Sequence, residues 1–318
     1  MHHDVFNGDA DGLCSLLQLR LANPLPETVQ ITGTKRDTLL LSKIRDLRDS
    51  SITVLDISLD SNRNALEHLL RQGNSVLYID HHFAGDIPQS GRLTPHINQR
   101  PDVCTSLLVN SLVQGQFGSW AICGAFGDNL DKPAGKLAQS LSLRTGQVQQ
   151  LQETGELLNY NSYGETIADL HIHPSILYAE LARYRDPFEF SRHSPMLDQL
   201  RQGFHDDLGQ AMRIEEDGRS GKNRVYFLPD TAWARRVSGV FANRRATEQA
   251  EIAHALITSN SDGSWRISVR APLNDCRGAD SLCRKFPTGG GRAGAAGVTR
   301  LPAEMLDSFL AEFQQMYR

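Results

Sequence analysis

Two adjacent histidines behind an aspartate, Asp80-His81-His82, close the run Ser75-Val76-Leu77-Tyr78-Ile79. Imidazole and carboxylate in one cluster suit a borderline divalent cation. Three further apolar runs also end on acid: Val5-Phe6-Asn7-Gly8-Asp9-Ala10-Asp11, Val54-Leu55-Asp56 and Ala125-Phe126-Gly127-Asp128. Each reads as a buried strand that delivers a carboxylate at its C-terminal end. An open α/β sheet binds ligands outside the carboxyl ends of its strands, so Asp9, Asp11, Asp56, His81 and Asp128 are expected to converge on one edge. That many oxygen and nitrogen donors can serve two divalent ions a few ångströms apart, with one carboxylate bridging. The donor set favours Mn²⁺, with Mg²⁺ or Co²⁺ as substitutes, and the lack of thiolate argues against a structural zinc site. One such aspartate alone would be read as a helix cap or turn residue. Four acid-ended runs, one with a double histidine, make coincidence a poor explanation.

The elements that must position these residues alternate in type. The predicted strand at Val5-Phe6 is followed by a helix over Leu13 to Leu21. A second strand, Ser51 to Asp56, leads to an amphipathic helix over Arg63 to Gln72, and the strand ending at Asp80 comes next. Repeated βα units imply a parallel sheet. Asn7-x-Asp9-x-Asp11-Gly12 also matches the opening of an EF-hand calcium loop. Gln18 stands where the bidentate Glu belongs, however, and a strand rather than a helix comes before it. Further helices are expected at Lys43 to Leu47, Cys104 to Leu112, Gln147 to Leu158, Pro174 to Tyr184 and Pro195 to Arg213. His171 and His173 read as surface or capping residues, because no acid-ended strand accompanies them. Polar, turn-rich residues 215–222 end a helical connection. Beyond it the expected order is a strand at Arg224 to Leu228, a helix at Thr231 to Asn243, and a hairpin of Ile252 to Thr258 with Ser264 to Ala271 over Asn260-Ser261-Asp262-Gly263. A helix at Ala279 to Lys285 then leads into Gly289-Gly290-Gly291-Arg292-Ala293-Gly294-Ala295-Ala296-Gly297, and a helix over Pro302 to Tyr317 ends the chain.

At 318 residues the chain suggests two domains. The boundaries read as 1–190 for an α/β parallel-sheet domain, 191–218 for a helical linker and 219–318 for a smaller α/β domain. A cleft is expected between the two domains. No run is apolar for long enough to span a bilayer, and the strand beginning at Asp4 leaves no room for a signal peptide before it. Five cysteines without C-x-x-C spacing suggest reduced thiols and a cytoplasmic protein. Net charge is −4, divided as −10 over residues 1–218 and +6 over 219–318. The acidic part suits cations and the basic part an anionic substrate. An acidic total is a poor basis for gripping long nucleic acid, where phosphate neutralisation dominates affinity. Neither long nucleic acid nor a membrane is therefore expected as a partner, and the protein is expected to be a monomer or homodimer.

In order, Asp9-Ala10-Asp11, Leu55-Asp56, Asp80-His81-His82 and Gly127-Asp128 resemble the four motifs of the DHH phosphoesterase family. That family spans RecJ-type exonucleases, nanoRNases, family II pyrophosphatases and exopolyphosphatases. The glycine-rich run, with Ile267-Ser268-Val269-Arg270 before it, is similar to the family's associated C-terminal domain, so the resemblance covers nearly the whole chain. It implies that Asp9 and Asp56 bind a first metal, and that Asp11, Asp56, His81 and Asp128 bind a second. It further implies that His82 faces the scissile phosphate and that Asp80 orients the site from behind. Arg270 and Arg292 would grip a phosphate or base, with the backbone of Gly289, Gly290 and Gly291 approaching an anion. Two positions depart from the family pattern. Many members carry a metal-binding histidine four residues before the first motif aspartate, where this chain has Val5, with Asn7 nearby as a weak substitute. Arg292 stands where the glycine loop often has histidine.

The implied activity is two-metal hydrolysis of short linear oligoribonucleotides by in-line attack at phosphorus. The expected substrates are 5′-phosphorylated dinucleotides such as pGpG, the linear product of cyclic di-GMP breakdown. The rival readings are 3′-phosphatase action on a nucleotide bisphosphate (pAp), hydrolysis of pApA, and a nucleotide sensor without turnover.

Overall fold

The computed structural model describes residues 1–218 and 221–318, and the chain divides into two compact units, Met1–Gly203 and Phe204–Arg318. The first is built on five strands: β1 (His2–Phe6), β2 (Thr28–Ile31), β3 (Ser51–Leu55), β4 (Ser75–Asp80) and β5 (Leu93–Ile97). They lie in the order β2-β1-β3-β4-β5, and every pair is parallel. Val, Ile and Leu fill most of β3 and half of β4, and all but the first residue of β1 and of β3 are buried, as expected where both faces are covered. Register aligns the strand ends. Phe6 lies opposite Leu55, and Leu55 opposite Ile79, so Asn7, Asp56 and Asp80 leave the sheet at one level.

One face of this sheet packs Val5, Ile52, Val54 and Tyr78 against leucines of α2 (Leu59–Arg71) and of the 3₁₀ turn at Leu40–Ile44. The other face carries α1 (Ala10–Ala22), which packs against α3 (Thr105–Leu112), α4 (Gly118–Gly127) and α6 (Thr145–Ser162). α5 (Asp131–Ser140), α7 (Pro174–Leu181), α8 (Pro187–His193) and α9 (Pro195–Met212) complete the helices named in this part of the chain, and the division between the units falls within α9.

The second unit holds a mixed sheet in the order β6-β7-β8-β10-β9, from β6 (Arg224–Leu228), β7 (His254–Ser259), β8 (Trp265–Arg270), β9 (Gly289–Arg292) and β10 (Ala295–Leu301). β6 and β7 are parallel and the other pairs antiparallel. Ile257, Val269, Val298, Phe309 and Phe313 centre its core, which draws on α11 (Ala279–Cys283) and α12 (Leu306–Met316); α10 (Ala232–Glu248) packs on β7 and β8. The β7–β8 hairpin turns over Asn260 to Gly263 as expected, with Gly263 at φ 82°.

Three expectations change. The apolar run ending at Asp128 is a helix, α4, because ten residues rich in Gly and Ala lie almost wholly inside a layer of helices; periodicity cannot separate that from a buried strand. The glycine-rich run is not one loop: most of it forms the antiparallel pair β9–β10. Two edge strands, β2 and β5, escape the sequence reading because both are short and only partly buried; Pro95 in β5 sits where an edge permits it. The turn expected at 215–222 includes residues 219 and 220, which lie outside the described residues. No helix among the described residues is long and apolar enough to cross a membrane, and all five cysteines are free.

Candidate metal centre

The site is built where β1, β3 and β4 end. Asp9 is the N-cap of α1, and its Oδ1 accepts the Gly12 N–H at 3.0 Å. Position 12 must be glycine, since a Cβ there would sit 2.1 Å from the Asn7 carbonyl oxygen. In the first turn of α1, Asp11 is buried. Its two oxygens accept the N–H groups of Thr105 at 2.7 Å and Ser106 at 2.8 Å, at the start of α3. A helix N-terminus favours a negative charge, which suits a carboxylate at this buried position. Asp56 leaves β3 at φ 59°, in the left-handed region, and its Oδ1 accepts from Thr105 Oγ1 at 3.1 Å. Strain of that kind in a non-glycine residue, next to other candidate ligands, marks a functional position. Asp128 caps the C-terminus of α4. The α4 end can come this near because Gly127 has no side chain; a Cβ would lie 2.3 Å from that of Ala10.

His81 is the centre of the cluster. Its Nε2 lies 3.4 Å from Asp56 Oδ1 and 3.5 Å from Asp128 Oδ2. Two ligand sets share it among the described residues, Asp56-His81-His82 and Asp11-His81-Asp128, each with donor atoms within 4.8 Å of one another. Asp80 is buried beneath, with Oδ1 2.7 Å from His82 Nδ1. Two buried oxygens, Asn7 Oδ1 and Asp80 Oδ2, have no hydrogen-bond partner among the described residues. Orphan acceptors beside a carboxylate and imidazole cluster are what a cation site presents before the cation is counted. The residues therefore fit a divalent ion. A cleft of about 100 Å³ opens over them, lined by Asn7, Asp9, Lys35, Asp56, His82 and Asp128 among others.

The carboxylates strongly influence one another. Burial, and then the charges of Asp9, Asp11 and Asp128, push Asp56 well above the usual carboxylate range. Burial and Asp11 raise Asp128 to about 6, although Lys35 opposes them. Burial would raise Asp9 too, but the Lys35 ammonium and the Gly12 N–H outweigh it and hold Asp9 below its ordinary value. His82 is disfavoured as a cation by burial, yet its hydrogen bond to Asp80 and that residue's charge raise it overall.

Lys35 is a member of the site that the sequence does not announce. Its Nζ donates to Asp9 Oδ2 at 2.5 Å and to Asn159 Oδ1 at 3.2 Å, and reaches Asp128 Oδ1 at 3.5 Å. No spacing rule finds it, because it lies on the loop after the unanticipated β2, and Asn159 lies far along the chain on α6. Thr105 and Ser106, legible in the sequence only as a helix start, prove to hold Asp11 and Asp56. His173 does cap α7, accepting the Ser175 N–H at 3.2 Å, and His171 bonds the Tyr160 hydroxyl at 2.6 Å.

Arg270, Arg292 and the three glycines lie in the second unit. Register puts Arg270 opposite Ala295, and Ala295 opposite Arg292, so both arginines occupy one row on one face of the sheet. The next row on that face is Ser268, Gly297 and Gly290. A Cβ on Gly290 would meet nothing within 4 Å, so packing does not demand glycine there. Gly289 and Gly291 are demanded: Cβ atoms there would meet the Cys283 carbonyl oxygen at 1.8 Å and Ala296 Cα at 2.4 Å. Arg270 Nε donates to Asn243 Oδ1 at 2.7 Å.

No sequence-family profile and no curated protein matches this chain. Solved structures do match its fold. A DHH-domain protein described as belonging to a family of ribosomal proteins superposes over 99% of this chain and 85% of its own, with a TM-score of 0.65 and 13% identity. The exonuclease RecJ bound to manganese gives a TM-score of 0.61 and 17% identity, over 99% of this chain and 89% of its own. The pGpG-specific phosphodiesterase PggH from Vibrio cholerae gives 0.54 and 13%, over 99% of each chain. The chain therefore shares the fold of these solved structures, the DHH-domain protein and RecJ among them.

Proposed function

We propose that this chain, on the DHH phosphoesterase fold, is a divalent-metal-dependent phosphodiesterase that cleaves short linear oligoribonucleotides, with pGpG converted to two GMP. The single observation that carries the reading is His81 Nε2 lying between Asp56 Oδ1 and Asp128 Oδ2, with Asp11 and His82 completing the two ligand sets. Asp11, Asp56, His81 and Asp128 would hold the cation, which when bound supplies Lewis-acid charge to phosphoryl oxygens and an acidified water.

The protein's own groups do the remaining work. Asp80 accepts from His82 Nδ1, so that nitrogen keeps its proton and the other ring nitrogen is the one that meets substrate. With its orientation fixed by Asp80, the His82 ring would face a phosphate oxygen. The cleft has open space, lined by His82, Asn7 and Ser58, where a phosphodiester can lie. Arg270 and Arg292, either side of Ala295 and beside the row that holds Gly297 and Gly290, would form a surface for a second phosphate or a base. Support for a dinucleotide comes from the likeness in fold and length to a pGpG-specific enzyme.

The test is Mn²⁺-dependent product release across a panel of pGpG, pApA, pAp, longer RNA and cyclic dinucleotides. Turnover of pGpG ahead of the rest supports the reading. Activity confined to pAp would replace it with a 3′-phosphatase, and metal and nucleotide binding without turnover would replace it with a sensor.

A further inference from the structure

Lys35 sits among the carboxylates of the cluster rather than beside His81. Its ammonium touches Asp9 and Asp128 and is held in place by Asn159. Asp9 belongs to neither of the ligand sets that meet at His81, and its Oδ2 is held by the ammonium of Lys35. Position 5 offers no replacement donor: Val5 is fully buried and packs among Leu40, Val54 and Tyr78 in the apolar layer. A cation near Asp9 would be set against a fixed positive charge, with the Asn7 amide oxygen and the Asp56 carboxylate as its neighbouring donors.

From this we infer that Lys35 stands in for one of two cations, so that the centre holds a single divalent ion at His81 and a built-in ammonium beside it. The inference rests on the metal-dependent reading above and sharpens it.

Charge supports the substitution. Asp9, Asp11, Asp56 and Asp128 bring four negative charges, all of them buried or partly so. One divalent ion and one ammonium offset three of these four charges. A second divalent ion would be forced against an ammonium that sits 2.5 Å from Asp9 Oδ2. Two like charges at such range repel strongly where water is scarce. A lysine is also an apt replacement, being a compact point charge with three donors, and Asp9, Asp128 and Asn159 supply three acceptors. In catalysis it would lie beside the phosphate as a fixed cation, stabilising charge without exchange with solution.

The experiment counts metal rather than product, so it can fail while the hydrolase reading stands, and the reverse. Full-length protein is stripped with chelator and titrated with Mn²⁺ alone. Calorimetry gives the stoichiometry, and electron paramagnetic resonance tells an isolated ion from a coupled pair. The wild type should bind one equivalent and show the hyperfine pattern of an isolated Mn²⁺. In Lys35→Ala, Asp9 and Asp128 are released, a second equivalent should bind, and the spectrum should become that of a coupled pair. Lys35→Arg should remain at one equivalent. Two tight equivalents with a coupled spectrum in the wild type would overturn the inference. So would a Lys35→Ala protein that still takes up only one ion with unchanged affinity.

Discussion

Asp56 carries two demands on one residue. It must sit at φ 59°, a region that asparagine and aspartate enter with less strain than other side chains, and it must present an oxygen near His81. Asp56→Asn separates the two, since the amide tolerates the backbone but gives up the charge. The expected result is a loss of at least about 100-fold in Mn²⁺-dependent kcat/KM, exceeding what changes behind a metal ligand usually cost. The metal-free protein should unfold at no lower temperature than the wild type, because a buried carboxyl crowded by Asp9, Asp11 and Asp128 is removed. Near-normal turnover at limiting Mn²⁺ would mean that Asp56 is not a ligand. Asp80→Asn probes the layer behind it. The amide is a poorer acceptor for His82 Nδ1–H, so kcat should fall by about 10- to 100-fold while the Mn²⁺ count stays the same. A changed metal count would move Asp80 into the ligand shell.

At the level of elements, the ends of β1, β3 and β4 are legible in the sequence because each pairs a short apolar run with an abrupt acid, and parallel register then brings those ends together. That Asp128 comes from a helix is not legible, since α4 is apolar all round and shows no face. Lys35 is invisible for another reason: its partners Asp9, Asp128 and Asn159 are close only after folding. The α1–α4 approach gives a test. Gly127→Ala places a methyl on Ala10 and should push α4, with Asp128, away from α1. Overpacking of this kind costs about 1–3 kcal/mol, readable by denaturant unfolding, and Mn²⁺ affinity should fall with it. In the second unit, His254 opens β7 stacked on Tyr226. Burial, aided by Arg224 and Arg245, holds its pKa below 6.5 in spite of a hydrogen bond to the Gln249 carbonyl. Below pH 6.5 the folded form therefore binds fewer protons than the unfolded form. The stability tied to this histidine should be fully present above pH 6.5 and decline as pH falls through the depressed value. Thermal unfolding of His254→Gln should show a flatter acid limb, and an unchanged slope would exclude this histidine as the source.

On the scale of the whole molecule, charge is distributed so that cations and phosphate are drawn to different parts of the chain: −10 over residues 1–218, +6 over 219–318. In the proposed function the metal centre takes one phosphodiester, and the arginine row suits one further anionic or aromatic group. A 5′-phosphorylated dinucleotide has both, while a mononucleotide lacks the first. Each additional nucleotide of a long strand would bring phosphate to a protein whose net charge is −4, where few counterions are released in exchange. Arg292→Ala should accordingly raise KM for pGpG by an amount worth about 1.5–3 kcal/mol, the value of a hydrogen bond to a charged group, without altering Mn²⁺ stoichiometry. The wild type should show kcat/KM highest for the dinucleotide and falling steadily over RNAs of two to seven nucleotides, with only shallow salt dependence for the longer ones. A profile that is flat or rises with length, and that steepens with falling salt, would mean that the basic part grips a continuous strand. The protein would then be working as a processive exonuclease rather than on nucleotide fragments.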